Sequence, residues 1–366
     1  MSDAPSDRRP RIGLVGLGNI GHHHAERLSG LDADLVCGMD IDVEARERFA
    51  DAFDVETHED AAALYDRVDA VIVTTPNRFH EEYAVGALEA GLDVLLEKPL
   101  AHDLDAAEHI AAAAREAEGF CMVGFNNRFA RPVQALKHYQ HEGRFGETTH
   151  VEANYVRRRG VPGRGSWFTS KEVAGGGAVI DIGVHAIDLS LYFLDFPEVV
   201  EVSAVTRSEF GNRDDYAFVE MWGEDVGPEG FDVEDSASAF LRCADGSTVS
   251  LEVAWATNRP TNDEFVVRGT EAGARFDRGD HDLTLFEAER DGVHHYSDAE
   301  ITTRERNTHA AEQERFLEAV RAGEAPDINT VEQGLTVQRV IDAVYRSSER
   351  GEAVRLDESV TAAVDD

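Results

Sequence analysis

The sequence predicts a doubly wound α/β domain with a parallel sheet, followed by an α+β domain built on a large, mostly antiparallel sheet. Three observations carry this. The first third alternates short apolar runs with helical patterns, the signature of a parallel sheet covered by helices. A glycine motif, Gly16-Leu17-Gly18-Asn19-Ile20-Gly21, joins the first apolar run to the first helix. Beyond about residue 130, strand-like runs follow one another directly, with turn signals such as Asp245-Gly246. A chain of 366 residues accommodates two such domains, each with its own core.

Arg11-Ile12-Gly13-Leu14-Val15 reads as a short buried strand, and Ala25, Leu28 and Leu31 mark the helix after the glycines. A GxGxxG motif gains specificity from strand before, helix after and an acid closing the next strand. Here that strand is 35–39, and Asp40 follows nineteen residues beyond Gly21. Gly16 permits the tight turn, Gly18 lets a pyrophosphate approach the backbone, and Gly21 lets helix and strand pack closely. The free N–H groups of the helix start then face the diphosphate. Asp40 would accept hydrogen bonds from both ribose hydroxyls and repel a 2′-phosphate, so NAD is expected rather than NADP. The competing reading makes Asp40 or Asp42 only a helix N-cap.

A third strand (68–73) ends at Thr74-Thr75-Pro76-Asn77, where a helix with Tyr83, Ala84, Ala87 and Leu88 on one side begins. A fourth strand (92–96), an alanine-rich helix (103–117) and a fifth strand (120–124) complete the first domain, expected over 11–129. Ligands of such sheets bind beyond the carboxyl ends of the strands. The glycine loop, Asp40, Thr74–Asn77, Glu97–Pro99 and Gly124–Arg128 all fall there.

The second domain is expected over 130–356. It opens with a helix near 130–142, a strand at 148–158 and a glycine-rich loop (160–167). Gly175-Gly176-Gly177 precedes a long apolar helix from about Val179 to Leu194. Strands follow at 198–207, 236–243, 247–255, 264–268 and 283–287, with an acidic loop insertion at 223–234. Helices near 308–322 and 330–349 close the chain, the last expected to pack back on the first domain. Disordered tails are expected at 1–10 and 357–366.

Acidic residues number 72 against 35 basic ones, a net charge of −37. That argues against a nucleic-acid backbone or an anionic membrane as partner. Only three of the basic residues are lysines: Lys98, Lys137 and Lys171. Together these biases read as a cytoplasmic protein adapted to high salt, where screening relieves self-repulsion. No secretory leader and no run of about 18 apolar residues is evident. Cys37, Cys121 and Cys243 are scattered and read as small core residues in a reducing compartment. One face of an open antiparallel sheet needs covering, so a homo-oligomer, dimer or tetramer, is expected.

With lysine so scarce, Lys98 in Glu97-Lys98-Pro99 requires a reason. A compact ammonium places one donor on one oxygen, which arginine does poorly. The second chemical cluster is Asp181, His185 and Asp188. On an α-helix, positions i and i+4 share a face, so Asp181 and His185 would project together from an otherwise apolar helix. Carboxylate and imidazole in one cleft make an acid/base pair. A structural His–Asp hydrogen bond or a zinc site would use the same spacing; no metal is expected.

These motifs together resemble the sugar and cyclitol dehydrogenases grouped with glucose–fructose oxidoreductase and inositol 2-dehydrogenase, the Gfo/Idh/MocA family. The resemblance runs from Arg11 to about Leu356 and rests on Gly16–Gly21, Thr75-Pro76-Asn77 with His80, Glu97-Lys98-Pro99, Gly124-Phe125-Asn126 with Arg128, and Gly175–Gly177 with Asp181, His185 and Asp188. It implies Lys98, Asp181 and His185 as catalytic residues and a cis peptide before Pro99. The cofactor-binding set is Gly16, Gly18, Asn19, Ile20, Gly21, Asp40, Thr75, Pro76, Asn77, His80, Glu97, Asn126 and Trp167. The implied activity is hydride transfer between NAD and a secondary alcohol of a sugar, sugar derivative or cyclitol. His185 would serve as acid/base, Lys98 as electrophile.

Other features are less specific. His22-His23-His24 reads as helix surface or cofactor edge rather than metal site, because adjacent helical positions point apart. Arg128, Arg157 and Arg164 are candidate substrate contacts. Arg157 and Arg159 would share one face of an alternating strand, with surface carboxylates as competing partners. Trp167 packs on cofactor, sugar or core. The competing functions are a redox-assisted glycosidase using NAD without net turnover, a non-catalytic sugar or NAD sensor, and an imine or enone reductase.

Overall fold

The structure, a computed structural model, describes residues 9–219, 221–290 and 292–356. The expected tails therefore lie outside the described residues, apart from Arg9 and Pro10. The chain forms two compact units. The first comprises the chain up to Phe129 with 172–175 and 306–338; the second comprises 130–171, 176–305 and 339 onward.

In the first unit, apolar runs and helices alternate as β1 (Arg11–Val15), α1 (Asn19–Leu28), β2 (Asp34–Met39), α2 (Val43–Phe53), β3 (Glu56–His58), α3 (Ala62–Tyr65), β4 (Ala70–Val73), α4 (His80–Glu89), β5 (Asp93–Leu96), α5 (Leu104–Glu116) and β6 (Cys121–Val123). The six strands are parallel, in the order β3-β2-β1-β4-β5-β6. Helix starts follow side-chain chemistry: Asp42 accepts from the Glu44 amide and Asp103 from the Ala106 amide. The order reverses between β1 and β4, which opens a crevice at their carboxyl ends. Strand β3 and helix α3 carry no sequence signal, because Glu56-Thr57-His58 is a polar edge strand of three residues.

The second unit contains α6 (Arg131–His141), β7 (Thr148–Val156), the short α7 (Lys171–Ala174, of which only Lys171 belongs here), a π-helical turn (Val179–Gly183) and α8 (Val184–Phe193). The strands β8 (Val199–Arg207), β9 (Ser236–Cys243), β10 (Thr248–Ala254), β11 (Glu264–Gly269), β12 (Ala272–Asp277), β13 (Leu283–Glu289), β14 (His295–Ile301) and β15 (Val354–Arg355) follow. With β7 they build a nine-stranded sheet, β14-β13-β12-β11-β7-β10-β9-β8-β15. Only the β7–β10 pair is parallel. Strands β12, β14 and β15 escape the sequence reading: Gly273 and Arg275 interrupt β12, β14 is a mostly polar edge, and β15 has two residues.

The stretch Lys171–Phe193 is by length and composition long and apolar enough to span a membrane, contrary to the expectation above. Its most apolar 18-residue window is 78% buried, because α8 is the core helix of this unit.

The last helices, α9 (Thr308–Ala322) and α10 (Val331–Arg350), depart from the expected domain limits. All of α9 and the first turns of α10 belong to the first unit. The reason is burial: Ala311, Phe316, Leu317 and Ala319 join Ile12, Leu14, Leu95 and Met122 in one core. Phe316 meets Phe120 edge-on at 5.9 Å, and fully burying such a ring contributes about 1.5–3 kcal/mol.

Candidate active site

The glycine loop leaves β1 and enters α1 without a side-chain cap. Gly16 has φ of +93°, and a Cβ on Gly21 would stand 2.2 Å from the Gly16 carbonyl oxygen, so neither position accepts a side chain. A Cβ on Gly18 would meet nothing within 4 Å. That open space lies against the uncapped N–H groups of Asn19 and Ile20, which suits a diphosphate. Asp40 accepts the Leu17 amide on Oδ2 and the Asp42 amide on Oδ1, at 2.8 and 2.9 Å. It is Asp42, not Asp40, that caps α2. Asp40 thus stands tied to the glycine loop, one acceptor for ribose hydroxyls at the end of β2. The residues fit a dinucleotide.

Lys98 leaves the end of β5, partly buried, and its peptide bond to Pro99 is cis. Glu97 beside it is nearly enclosed. Its Oε1 lies 2.8 Å from His24 Nε2, and its Oε2 accepts the Lys98 backbone N–H at 3.1 Å. Burial pushes the Glu97 carboxyl up; the hydrogen bond from His24 and the electrostatic influence of His24, His309 and Lys98 outweigh it and hold the carboxyl down at about 2. His24, Glu97 and His309 bring three potential ligand atoms within 4.8 Å of one another. Of the two places expected for His24, helix surface and cofactor edge, burial excludes the first: it is 1% exposed, bonded through Nδ1 to Gln313 of α9.

His80 also turns inward. Its ring stands 2.9 Å from the carbonyl oxygens of both Thr75 and Pro99, and burial lowers its pKa. It ties two backbone turns together rather than facing open space. Asn77 donates to the Ala174 carbonyl at 2.8 Å, and Asn126 to Thr308 Oγ1 at 2.9 Å. Arg128 is completely buried and donates to Gln333, so it is not exposed to a substrate; it fastens the turn after β6 to α10.

In the second unit, Asp181 lies in the π turn and His185 in the first turn of α8. The α-helical spacing argument does not carry over unchanged, since a π turn advances by a different angle. Burial supplies what spacing does not: from Val179 to Leu191, only Asp181 and His185 escape full burial. Asp188 is fully buried. The indole N–H of Trp255, itself 0% exposed, donates to Asp181 Oδ2 at 2.9 Å. Glu234 accepts the Gly177 and Val179 amides and the Tyr345 hydroxyl, so one carboxylate caps the π turn.

Arg164 and Arg157 make hydrogen bonds within this unit. Arg164 is buried, forked onto Asp225 and bonded to the Gly211 and Arg213 carbonyls, which organises the acidic loop. Arg157 reaches Gly160 O and the Tyr155 hydroxyl. Strand β7 stops at Val156, so no strand alternation relates Arg157 to Arg159. Trp167 stacks on Phe168 at 3.6 Å. The other two lysines are engaged elsewhere: Lys137 with Asp195, Lys171 with Glu349.

Comparison with known proteins bears on both units. Residues 10–125 match the oxidoreductase family with an NAD-binding Rossmann fold, and residues 133–275 match the Gfo/Idh/MocA C-terminal domain. The chain belongs to the Gfo/Idh/MocA family. Its first unit is an NAD-binding Rossmann domain, and its second carries the family's C-terminal domain. A D-glucoside 3-dehydrogenase of Escherichia coli is 32% identical over 97% of this chain and 100% of its own. A scyllo-inositol 2-dehydrogenase (NAD+) of Bacillus subtilis is 26% identical over 96% of this chain and 97% of its own. A levoglucosan dehydrogenase solved with NADH and levoglucosan superposes with a TM-score of 0.83 at 23% identity, over 96% of this chain and 100% of that one, which shows the shared fold.

Within this Gfo/Idh/MocA chain, sequence reasoning missed Trp255, Glu234, His309 and Gln313. His309 and Gln313, four apart on α9, offered a spacing signal. Trp255 and Glu234 offered none, since their partners lie 74 and 55–57 residues away.

Proposed function

We propose that this protein is an NAD-dependent dehydrogenase acting on a secondary alcohol of a sugar, sugar derivative or cyclitol, with a pyranose glycoside as the first candidate. The observation that carries this is the end-to-end relation to a D-glucoside 3-dehydrogenase in a chain that keeps Lys98, Asp181 and His185. Gly16–Gly21 would hold the diphosphate and Asp40 the adenosine ribose. When bound, NAD supplies the hydride acceptor. His185 takes the proton of the reacting hydroxyl. The Lys98 ammonium stabilises the negative charge that develops on that oxygen. Asp181, its carboxylate held by the Trp255 indole, orients the reacting or neighbouring hydroxyl.

The test is absorbance at the nicotinamide band in high salt, with NAD or NADP and a panel of glycosides, aldoses, sugar acids, anhydrosugars and inositols. Reduction of NAD by one subset is the expected result. Aglycone release without net NAD reduction would move the assignment to a redox-assisted glycosidase. A bound sugar with neither change would indicate a sensor.

A further inference from the structure

Gln313 fixes which nitrogen of His24 carries the proton. Its Nε2 lies 3.1 Å from the His24 backbone carbonyl oxygen, which can only accept, and 2.7 Å from His24 Nδ1. A flipped amide would set two oxygens against each other. The NH2 group therefore faces both atoms, and Nδ1 is an acceptor. A protonated Nδ1 would point a hydrogen at a donor, so His24 is neutral, with its proton on Nε2. That proton points at Glu97 Oε1, 2.8 Å away. The other oxygen of Glu97 receives the backbone N–H of Lys98. A directed chain thus runs from α9 through α1 to the end of β5: Gln313 to His24, His24 to Glu97, Lys98 N–H to Glu97.

We propose that His24 is a positioning residue for Lys98: as the Nε2–H tautomer set by Gln313, it clamps the Glu97 carboxylate onto the Lys98 backbone amide. This rests on the reading of Lys98 as the group that meets the reacting oxygen. A metal would need a lone pair on His24 Nε2, where this chain places a proton. The other titratable groups facing Glu97 are His309 on α9, His80 on α4 and Lys98 itself. Burial brings His309 down to about 4, so it stands neutral at pH 7. His24 supplies a side-chain hydrogen bond to Glu97 Oε1. Removing that donor leaves burial to raise the Glu97 carboxyl, and a protonated Glu97, its charge lost, would hold the Lys98 amide more weakly.

The experiment pairs a variant series with a measurement that needs no turnover. His24→Leu removes the donor; His24→Gln places an amide N–H near the position of Nε2. For His24→Leu, we expect kcat to fall about 10- to 100-fold, the cost of a small misplacement of a reacting group. The acid limb of the kcat profile should move to higher pH, and NADH binding, read by fluorescence, should change less than threefold. His24→Gln should recover most of kcat and the wild-type profile. In the cofactor-free wild type, 15N NMR of labelled histidine should show His24, identified by its loss in His24→Gln, as the Nε2–H tautomer. An Nδ1–H or doubly protonated ring would overturn the proposal. So would wild-type kcat and pH profile in a folded His24→Leu, or tight zinc binding that disappears in His24→Gln. Should the wild type oxidise no sugar, the functional reading fails; the NMR result then decides the hydrogen-bond chain by itself.

Discussion

In the first unit, the carboxylate of Glu97 sits among His24, His309 and Lys98, held by hydrogen bonds from a side chain and from backbone. In the second, Asp181 lies in a run of otherwise buried residues, and the hydrogen bond identified for its carboxylate comes from an indole. The first arrangement is a polar network, and the second includes an indole donor seated in a packed core. A buried polar network fixes both position and protonation state, but each member depends on the others. An indole in a packed core offers one donor in one place, stiffened by the surrounding apolar contacts. Two units of one chain thus aim a carboxylate with different donors, a ring and a backbone amide in one and an indole in the other.

The comparison breaks most visibly at Lys98. Lys98→Ala should lower kcat about a thousandfold while NADH binding stays within a few fold, because one electrostatic donor to a developing oxyanion contributes about that much. Equal activity would remove the reason for the whole polar cluster of the first unit.

Next in size is Trp255→Phe, which keeps the ring and deletes the N–H. A hydrogen bond to a charged group contributes about 1.5–3 kcal/mol, so kcat is expected to fall about 10- to 100-fold. Thermal stability should change little if the phenyl ring fills the same space. A large loss of melting temperature with unchanged kcat would make Trp255 a core residue only.

Asp40→Ala sharpens the cofactor side. Removing the carboxylate should raise the efficiency with NADP relative to NAD by roughly tenfold or more, since one repulsive charge beside a 2′-phosphate is lost. An unchanged ratio would mean that another group discriminates.

The smallest expected effect separates His309 from Glu97 by pH. The folded-state pKa of His309, about 4, lies below its unfolded value, so the unfolded chain takes up the proton first. Stability from this group is complete above about pH 6.5 and is lost as pH falls towards 4. Glu97, held at about 2, favours folding above its unfolded value and loses that contribution only below about pH 4.5. Between pH 6.5 and 4.5, therefore, His309 alone of the pair responds. Urea unfolding in high salt should show His309→Gln losing about 1–2 kcal/mol less than wild type on going from pH 7 to 5, after discounting for partial exposure. Identical slopes would mean that His309 is not held neutral by burial.

Much of this protein was legible in order along the chain. The glycine loop, Asp40, the five long strand signals of the first domain and the lone lysine after β5 were readable because each depends on local rules: period, turn chemistry, residue spacing. Strands β3, β12, β14 and β15 were not, since short or polar strands are made by their neighbours in the sheet rather than by their own sequence. Likewise His24 looked like one of three helix-surface histidines. Only the arrival of α9 against α1, driven by Phe316 and Leu317 entering the first core, buried it and supplied Gln313.

The sequence by itself determined the class of each unit and the dinucleotide loop, and it singled out Lys98, Asp181 and His185 as candidates, because covalent order carries local pattern. The tertiary structure decided which side chains hold them. The Gln313 contact of His24, the indole on Asp181 and the Glu234 cap on the π turn join residues far apart in the chain, and only folding brings such distant groups within about 3 Å of one another.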